Sequence, residues 1–308
     1  MRTLLALLLL LIAACSPSKP SSESGNRKIH VVTTVGMLAD AVQNLGADHV
    51  EVTGLMGPGV DPHLYRASEG DMRRMAGADL IVYGGLHLEA KLAEVLHELG
   101  SRKPTLGVGE TLNPTRLISA QAGQGGSHDP HIWFDVALWA EAVSSITDRL
   151  IALAPQHRTD FETRRTTYLQ SLHELDTEVR NQLARIPAER RVLVTAHDAF
   201  RYFGRAYSVE VRGLQGISTV SEAGTRDVQE LSRFIVQRKI PAIFVESSVP
   251  PKAIEALQEA VRAQGYEVTI GDALFSDAMG NPGTAEGTYI GMVRHNVRAL
   301  SRALLAQP

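Results

Sequence analysis

The sequence predicts an α/β protein with two lobes, each built on a parallel sheet, and one long spine helix between them. Three observations support this fold class. The chain has 308 residues, of which 44% are hydrophobic, enough for two cores of about 100 to 150 residues each. Short β-branched segments alternate with amphipathic helical segments in both halves. Between the halves, residues 155–187 are polar and helical in pattern, with no Gly and no internal Pro.

The first fourteen residues have the pattern of an export signal. Met1 and Arg2 precede an apolar stretch from Leu4 to Ile12, which small residues follow. This stretch is too short to cross a bilayer, which takes about 20 residues. We therefore expect residues 1–14 to be removed, and the mature protein to have no transmembrane helix.

Cys15 is the only cysteine in the chain, so the protein can form no internal disulfide. The segment Ile12-Ala13-Ala14-Cys15 resembles the lipobox of bacterial lipoproteins, in which the cysteine becomes the lipidated first residue. This predicts attachment at Cys15 to a membrane surface of the cell envelope, with the leaflet left open. The alternative is an ordinary signal peptide that takes Cys15 with it. Residues 15–28, rich in Ser and Pro, are expected to be a flexible tether.

The N-terminal lobe is predicted over residues 29–154. Its predicted strands and helices alternate, which indicates parallel βαβ units. The strands are Ile29–Thr33, His49–Val52 and Leu80–Tyr83, and the helices lie near Met37–Leu45, Ala67–Met75 and Leu88–Leu99. Residues 104–130, rich in Gly, Pro, Ser and Thr, are predicted to be loop with one short strand.

The spine helix is predicted over residues 155–187. Six apolar residues recur at helical spacing and form one stripe, namely Phe161, Tyr168, Leu172, Leu175, Val179 and Leu183. A helix of about 25 residues would be about 40 Å long, longer than one small domain needs.

The C-terminal lobe is predicted over residues 188–308. The alternation resumes there, with strands at Val192–Thr195, Val209–Val211, Ala242–Val245 and Tyr266–Ile270 and a closing helix at Glu286–Leu305. The net charge of −3 gives no basic bias for nucleic acid, and we expect a monomer.

Four polar residues follow predicted strands, where parallel α/β sheets bind ligands. They are His63, His131, His197 and Asp277, two from each lobe. Three imidazoles and one carboxylate are a typical ligand set for zinc or a similar divalent metal. Both His63 and His131 lie in an Asp-Pro-His step, where Pro restricts the backbone and preorganises the ligand.

Other polar residues could lie near these four or support them. Glu246 ends the predicted strand Ala242–Val245 and could orient His197 or another ligand. His87 and Glu89 could lie near the cleft, whereas His128, in a flexible stretch, is expected to be solvated. The remaining six histidines fall on predicted strand starts or polar helix faces, with no second ligand type expected near them. They are expected to be structural or exposed: His30, His49, His97, His157, His173 and His295.

From Ile29 to Leu304 the sequence resembles the TroA and ZnuA family of substrate-binding proteins of zinc and manganese ABC transporters. The matching blocks are Gly57–Tyr65, Asp129–Asp135, Thr195–Phe200, Gly213–Ser218 and Phe275–Gly280. The resemblance implies two Rossmann-like lobes with a metal between them, held by His63, His131, His197 and Asp277. It also implies a receptor, not an enzyme, that delivers the metal to a permease and its ATPase.

The sequence leaves open whether the metal is zinc or manganese. His197 stands where many manganese-selective members have Glu, and three imidazoles favour zinc by the Irving–Williams order. However, the large His-rich loop of many zinc-specific members is absent.

Two alternative functions remain at this point. A zinc hydrolase would use Glu246 or Asp198 as a base, but Asp277 would occupy the coordination position that a catalytic water needs. A metal-buffering or adhesin lipoprotein without a transport role would share the anchor and the metal site.

Overall fold

A computed structural model describes residues 27–120 and 126–305 of the chain. The predicted signal peptide, Cys15 and nearly all of the tether lie outside the described residues. The N-terminal lobe contains a four-stranded parallel sheet in the order β2-β1-β3-β4. Its strands are β1 (Ile29–Thr33), β2 (Val50–Gly54), β3 (Leu80–Tyr83) and β4 (Thr105–Gly107).

Four helices accompany this sheet: α1 (Gly36–Gly46), α2 (Glu69–Gly77), α3 (Ala93–Gly100) and α4 (Val136–Leu153). Side chains fix two of their starts. Ser68 and Asp71 form a capping box at α2, and Asp135 accepts a hydrogen bond from the Leu138 N–H at the start of α4. Asp135 directly follows the segment that carries His131, so its cap helps to define where that ligand loop ends.

The spine helix α5 runs from Arg158 to Leu183, and its 26 residues give a length of about 39 Å at 1.5 Å per residue. The six residues of the predicted stripe are its buried residues. The helix packs against α1 and α4 of the N-terminal lobe and against the closing helix Tyr289–Leu305 of the C-terminal lobe. The periodicity therefore predicted both the helix and the face that it buries.

The C-terminal lobe is also built from parallel strands and helices. Its elements are β5 (Val192–His197), α6 (Arg201–Tyr207), β6 (Glu210–Gln215), α7 (Thr225–Arg238), β7 (Ala242–Ile243), α8 (Lys252–Arg262), β8 (Thr269–Ile270) and α9 (Tyr289–Leu305). β5 pairs with β6 and β7 pairs with β8. A hydrogen bond of 2.9 Å from the Phe244 N–H to the Val194 carbonyl brings β7 beside β5.

The apolar core is not divided at the lobe boundary. One continuous cluster contains the core of the N-terminal lobe, the buried face of α5, and residues of α6 and α9 such as Phe203 and Met292. A second cluster lies on the other side of the C-terminal sheet, beneath α7 and α8, and includes Ile235 and Leu257. The two lobes and the spine helix are thus packed together.

Several predicted elements have different bounds in the structure. The strands expected over Ala242–Val245 and Tyr266–Ile270 are shorter, since only Ala242–Ile243 and Thr269–Ile270 pair as β7 and β8.

The helix expected over Leu88–Leu99 begins as a 3-10 turn, and regular α-helix starts only at Ala93. The cause is Glu89, whose buried carboxylate accepts hydrogen bonds from the Gly84 and Gly85 N–H groups and holds this segment in a turn. The strand expected over Val209–Val211 continues to Gln215, because β6 pairs along the full length of β5.

Within residues 27–120 and 126–305, no helix is long and apolar enough to cross a membrane.

Candidate metal centre

His63, His131, His197 and Asp277 come together in the structure and are called the central cluster below. They are buried, with exposed fractions of 0 to 1%. His63 lies in the loop after β2 and His131 lies just before α4, so two ligand candidates come from the N-terminal lobe. His197 is the last residue of β5 and Asp277 follows β8, so two come from the C-terminal lobe.

The candidate donor atoms of the central cluster face one another. The Nε2 atoms of His63 and His131 are 3.3 Å apart. Oδ2 of Asp277 lies 3.3 Å from Nε2 of His63 and 3.3 Å from Nε2 of His197. Oδ1 of Asp277 lies 3.5 Å from Nε2 of His131.

These spacings fit a small divalent ion. Metal–ligand bonds of about 2.0 to 2.1 Å at tetrahedral angles separate neighbouring ligand atoms by about 3.3 to 3.4 Å. Neither carboxylate oxygen of Asp277 has a hydrogen-bond partner among the described residues, although both are buried. A buried carboxylate is costly unless positive charge compensates it, and a metal ion in the central cluster would supply that charge.

Each Asp-Pro-His step uses its aspartate to fix the histidine that follows. Asp61 accepts a hydrogen bond of 2.8 Å from the His63 N–H. Asp129 accepts one of 3.0 Å from the His131 N–H and lies 2.8 Å from Nδ1 of the same ring. A carboxylate at Nδ1 favours the tautomer that leaves Nε2 free to bind a metal. Sequence reasoning missed Asp129 as a partner, although the repeated motif was its signal.

Glu246 holds His197 at two points, as the sequence suggested it could. Its Oε1 accepts a hydrogen bond of 2.8 Å from the His197 N–H, and its Oε2 lies 2.6 Å from Nδ1 of the ring. Gly213 allows β6 to approach this site, because a Cβ there would lie 2.5 Å from the Asp198 nitrogen. Nε2 of His197 therefore points at Asp277 from a closely packed position.

Charged groups in and beside the central cluster shift the pKa values of His197 and Asp277. Burial lowers the pKa of His197, but the carboxylates of Glu246 and Asp277 outweigh burial and raise it well above the ordinary value. Burial raises the pKa of Asp277, but the imidazoles of His197 and His131 hold it well below its usual range. Without metal, the site thus favours a charged carboxylate beside a protonated imidazole.

Several bonds cross between the lobes next to the central cluster. The Trp133 indole N–H donates to the Ser276 carbonyl at 3.1 Å, and the Thr219 hydroxyl donates to Oδ2 of Asp61 at 2.5 Å. On another side, the Tyr202 hydroxyl donates to the Asp129 carbonyl at 2.9 Å. Each bond joins a neighbour of a candidate ligand to the opposite lobe. The Trp133 side chain is also buried in the apolar core.

A cavity of about 470 Å³ reaches the central cluster from the side of Asp277. Gly54, Gly57 and Met279 are among the residues that line it, and none of the three imidazoles does. Of the candidate ligands, the carboxylate is therefore the one that meets the cavity.

The other weighed residues lie apart from the central cluster. Glu89 is buried and bonded to Thr34, Gly84 and Gly85, so it secures the loops after β1 and β3. His128 is half-buried and contacts Ser127. His49 and His157 contradict the expectation that they have no ligand type nearby, because the two rings stack on each other beside Asp160.

Comparisons with known proteins give one consistent result. The family described as "Zinc-uptake complex component A periplasmic" (ZnuA) matches residues 31–303. The zinc-binding protein TroA of Treponema pallidum (strain Nichols) is 52% identical over 287 residues, covering 93% of this chain and 92% of TroA. The manganese-binding lipoprotein MntA of Bacillus subtilis (strain 168) is 47% identical over 284 residues, covering 92% of each chain.

A solved structure agrees in fold. The periplasmic zinc binding protein TroA from Treponema pallidum superposes with a TM-score of 0.88 at 52% identity, covering 90% of this chain and 99% of that one. Two α/β lobes with parallel sheets and a long helix between them, as predicted from the sequence, are thus the observed fold class.

Proposed function

Because the chain belongs to the ZnuA family of periplasmic zinc-uptake components, we propose that it is an extracytoplasmic receptor that captures one divalent metal ion for an ABC importer. The family is one of solute-binding proteins rather than enzymes. Its members serve importers that contain a permease and an ATPase, and these are the partners of this chain.

The observation that carries the proposal is the central cluster. His63, His131, His197 and Asp277 offer three nitrogens and one carboxylate, all buried between the lobes. Asp277 lies 3.3 to 3.5 Å from each imidazole, and the Nε2 atoms of His63 and His131 are 3.3 Å apart. Four protein ligands fill a tetrahedral site and leave no position for a reactive water. This arrangement suits holding and release of an ion rather than hydrolysis.

The ligand types favour zinc as the cargo. Three imidazoles and one carboxylate bind zinc more tightly than manganese by the Irving–Williams order. TroA is named for zinc and MntA for manganese, at 52% and 47% identity respectively. We therefore propose zinc as the preferred ion and manganese as a second cargo that binds more weakly.

Titration calorimetry with zinc tests the site directly. His63→Ala and His197→Ala should each weaken zinc binding by more than about 100-fold. Removal of a carboxylate that only contacts a ligand costs roughly 10- to 100-fold, and removal of the ligand itself should cost more. His173→Ala, on an exposed position of α5, is the matched control and should bind like the unaltered protein. Equal affinity in all four proteins would refute the assignment. Elemental analysis of protein purified from its native envelope would identify the bound metal.

Delivery needs a separate test, since a metal-buffering or adhesin lipoprotein would bind the same ion. Membranes or cells that contain the permease and ATPase should accumulate zinc when the unaltered protein is added, and not when His197→Ala replaces it. Binding without any dependence of uptake on the protein would favour buffering or adhesion over transport.

We also propose that the mature chain is a monomer anchored by lipid at Cys15, which holds the receptor at the membrane surface near its permease. Stable anchoring takes more than one acyl chain. In cells, Cys15→Ala should move the protein from the detergent phase to the aqueous phase, while zinc binding stays unchanged. An unaltered phase distribution would refute the anchor without affecting the metal site.

A further inference from the structure

Three residues with metal-binding side chains meet at the junction of the N-terminal lobe with the spine helix. His49 ends a 3-10 turn just before β2, His157 directly precedes α5, and Asp160 lies in the first turn of α5. We propose that His49, His157 and Asp160 form a second, weaker binding site for a divalent transition metal, separate from the central cluster.

The geometry brings one donor atom from each residue to a common place. The three donor atoms lie within 4.8 Å of one another, and Nε2 of His49 is 3.0 Å from Oδ2 of Asp160. The imidazoles of His49 and His157 are stacked, with ring centroids 3.9 Å apart and an angle of 23° between the ring planes. Donor atoms this close need only small side-chain rotations to reach metal-bonding distance.

The buried ring of Phe161 holds the two imidazoles in this arrangement. Phe161, which is fully buried, meets the edge of both imidazoles, with centroid distances of 5.5 Å to His49 and 6.2 Å to His157. Phe161 also belongs to the buried stripe of α5, so the floor of the site is fixed by the core. The two imidazoles would repel each other if both were protonated, whereas one bound cation can use a nitrogen from each.

The site differs from the central cluster in exposure and in ligand number. The His49 side chain is 23% exposed and that of Asp160 is 59% exposed, so water has access to the donor atoms. Three protein ligands with water in the remaining positions can bind zinc, and imidazole also suits copper and nickel. The partial positive charge at the start of α5 disfavours a cation there. Access of water, the smaller number of protein ligands and this charge together predict weaker binding than in the central cluster.

A bound ion would connect two parts of the fold. His49 belongs to the turn that leads into β2, and the loop after β2 carries His63. His157 and Asp160 belong to the spine helix and its start. Since an ion that binds the folded chain stabilises it by mass action, occupancy should raise the thermal stability of the protein after the central cluster is already filled.

Equilibrium dialysis of the purified protein against increasing zinc concentrations tests the proposal. We expect two ions per chain, one tight and one weak. His157→Gln and His49→Gln should each keep the tight ion and lose the weak one, and His197→Ala should keep the weak ion and lose the tight one. His173→Gln, on the same helix, should keep both. Failure of the second site is thereby distinguishable from failure of the central cluster.

Two results would overturn the proposal. One is saturation of the unaltered protein at a single ion per chain. The other is a weak ion that survives in both His49→Gln and His157→Gln, which would place it elsewhere. A thermal melt of each variant without metal shows whether it is folded. Addition of zinc beyond one equivalent should raise the melting temperature of the unaltered protein and of His173→Gln, but not of His157→Gln.

Discussion

The carboxylate of Glu246 contacts His197 at both its backbone N–H, at 2.8 Å, and its ring Nδ1, at 2.6 Å. One side chain therefore fixes the position of the last residue of β5 and the orientation of its ring. We predict that Glu246→Gln weakens zinc binding by about 10- to 100-fold, because the amide lacks the charge that makes the imidazole a stronger donor. Titration calorimetry measures this change.

Glu267→Gln is a suitable control for that measurement. Glu267 is 78% exposed and contacts Arg262 rather than any residue of the central cluster. If both variants bind zinc as tightly as the unaltered protein, Glu246 has only a structural role. Asp129→Asn should behave like Glu246→Gln, because Asp129 contacts the His131 ring in the same way.

Metal binding should release a proton near neutral pH. The carboxylates of Glu246 and Asp277 raise the pKa of His197 well above its ordinary value, which favours the protonated ring, and that ring must lose its proton before Nε2 can bind a metal. Affinity should therefore fall as the pH is lowered. Calorimetry at pH 7 in buffers of different ionisation enthalpy detects the released proton, and identical enthalpies in all buffers would contradict the prediction.

The hydrogen bond from the Thr219 hydroxyl to Asp61 should slow the release of the metal ion from the central cluster. Thr219 lies in the C-terminal lobe, while Asp61 also accepts the N–H of His63, so the bond links a ligand loop to the opposite lobe. Thr219→Val removes the hydroxyl at nearly constant volume. Loss of one hydrogen bond to a charged group, worth about 1.5 to 3 kcal/mol, should raise the dissociation rate by roughly tenfold or more.

Transfer of zinc to a strong fluorescent chelator in a stopped-flow instrument gives that rate. Thr177→Val is the control, because the Thr177 hydroxyl bonds only within α5, to the His173 carbonyl. Equal release rates in the two variants would show that the interlobe bond does not limit opening.

The spine helix predicts a small closing motion. α5 is one continuous helix of 26 residues and packs against α1 and α4 of the N-terminal lobe and against α9 of the C-terminal lobe. A continuous helix resists bending, so we expect a slight rocking of the lobes rather than a wide hinge opening. Small-angle scattering should give nearly the same radius of gyration with and without zinc, and a change of several ångströms would contradict this.

The parts of the fold that depend on local pattern could be predicted from the sequence. The buried stripe of α5 follows directly from helical spacing. Of the candidate ligands, His63, His197 and Asp277 were nominated by their place at or after strand ends, and His131 by its place just before a helix. Glu246 was suggested because its strand ends near them. The comparisons support the family and the kind of cargo, whereas the ligand assignment remains a prediction for the titrations above.

The contacts that depend on distant parts of the chain could not be predicted. Thr219 and Asp61 are far apart in sequence and have no pattern that links them. The stacking of His49 on His157 arises from the packing of a turn against the spine helix, which residue spacing does not reveal. The extension of β6 to Gln215 comes from pairing with β5, and this pairing overrides the weak strand preference of Gly213.

The continuous apolar cluster that joins the N-terminal lobe, α5 and α9 limits how this chain can be recombined with its relatives. A chimera cut after Leu183 would place the α5 of one parent against the α9 of another, so that Leu175 and Met292 of this chain would lose their matched surroundings. Exchange of α7 and α8 together with the second apolar cluster beneath them would leave the contacts of the first cluster in place. Chimeras with relatives should therefore be joined within the C-terminal half, rather than at the ends of the helix that joins the two lobes.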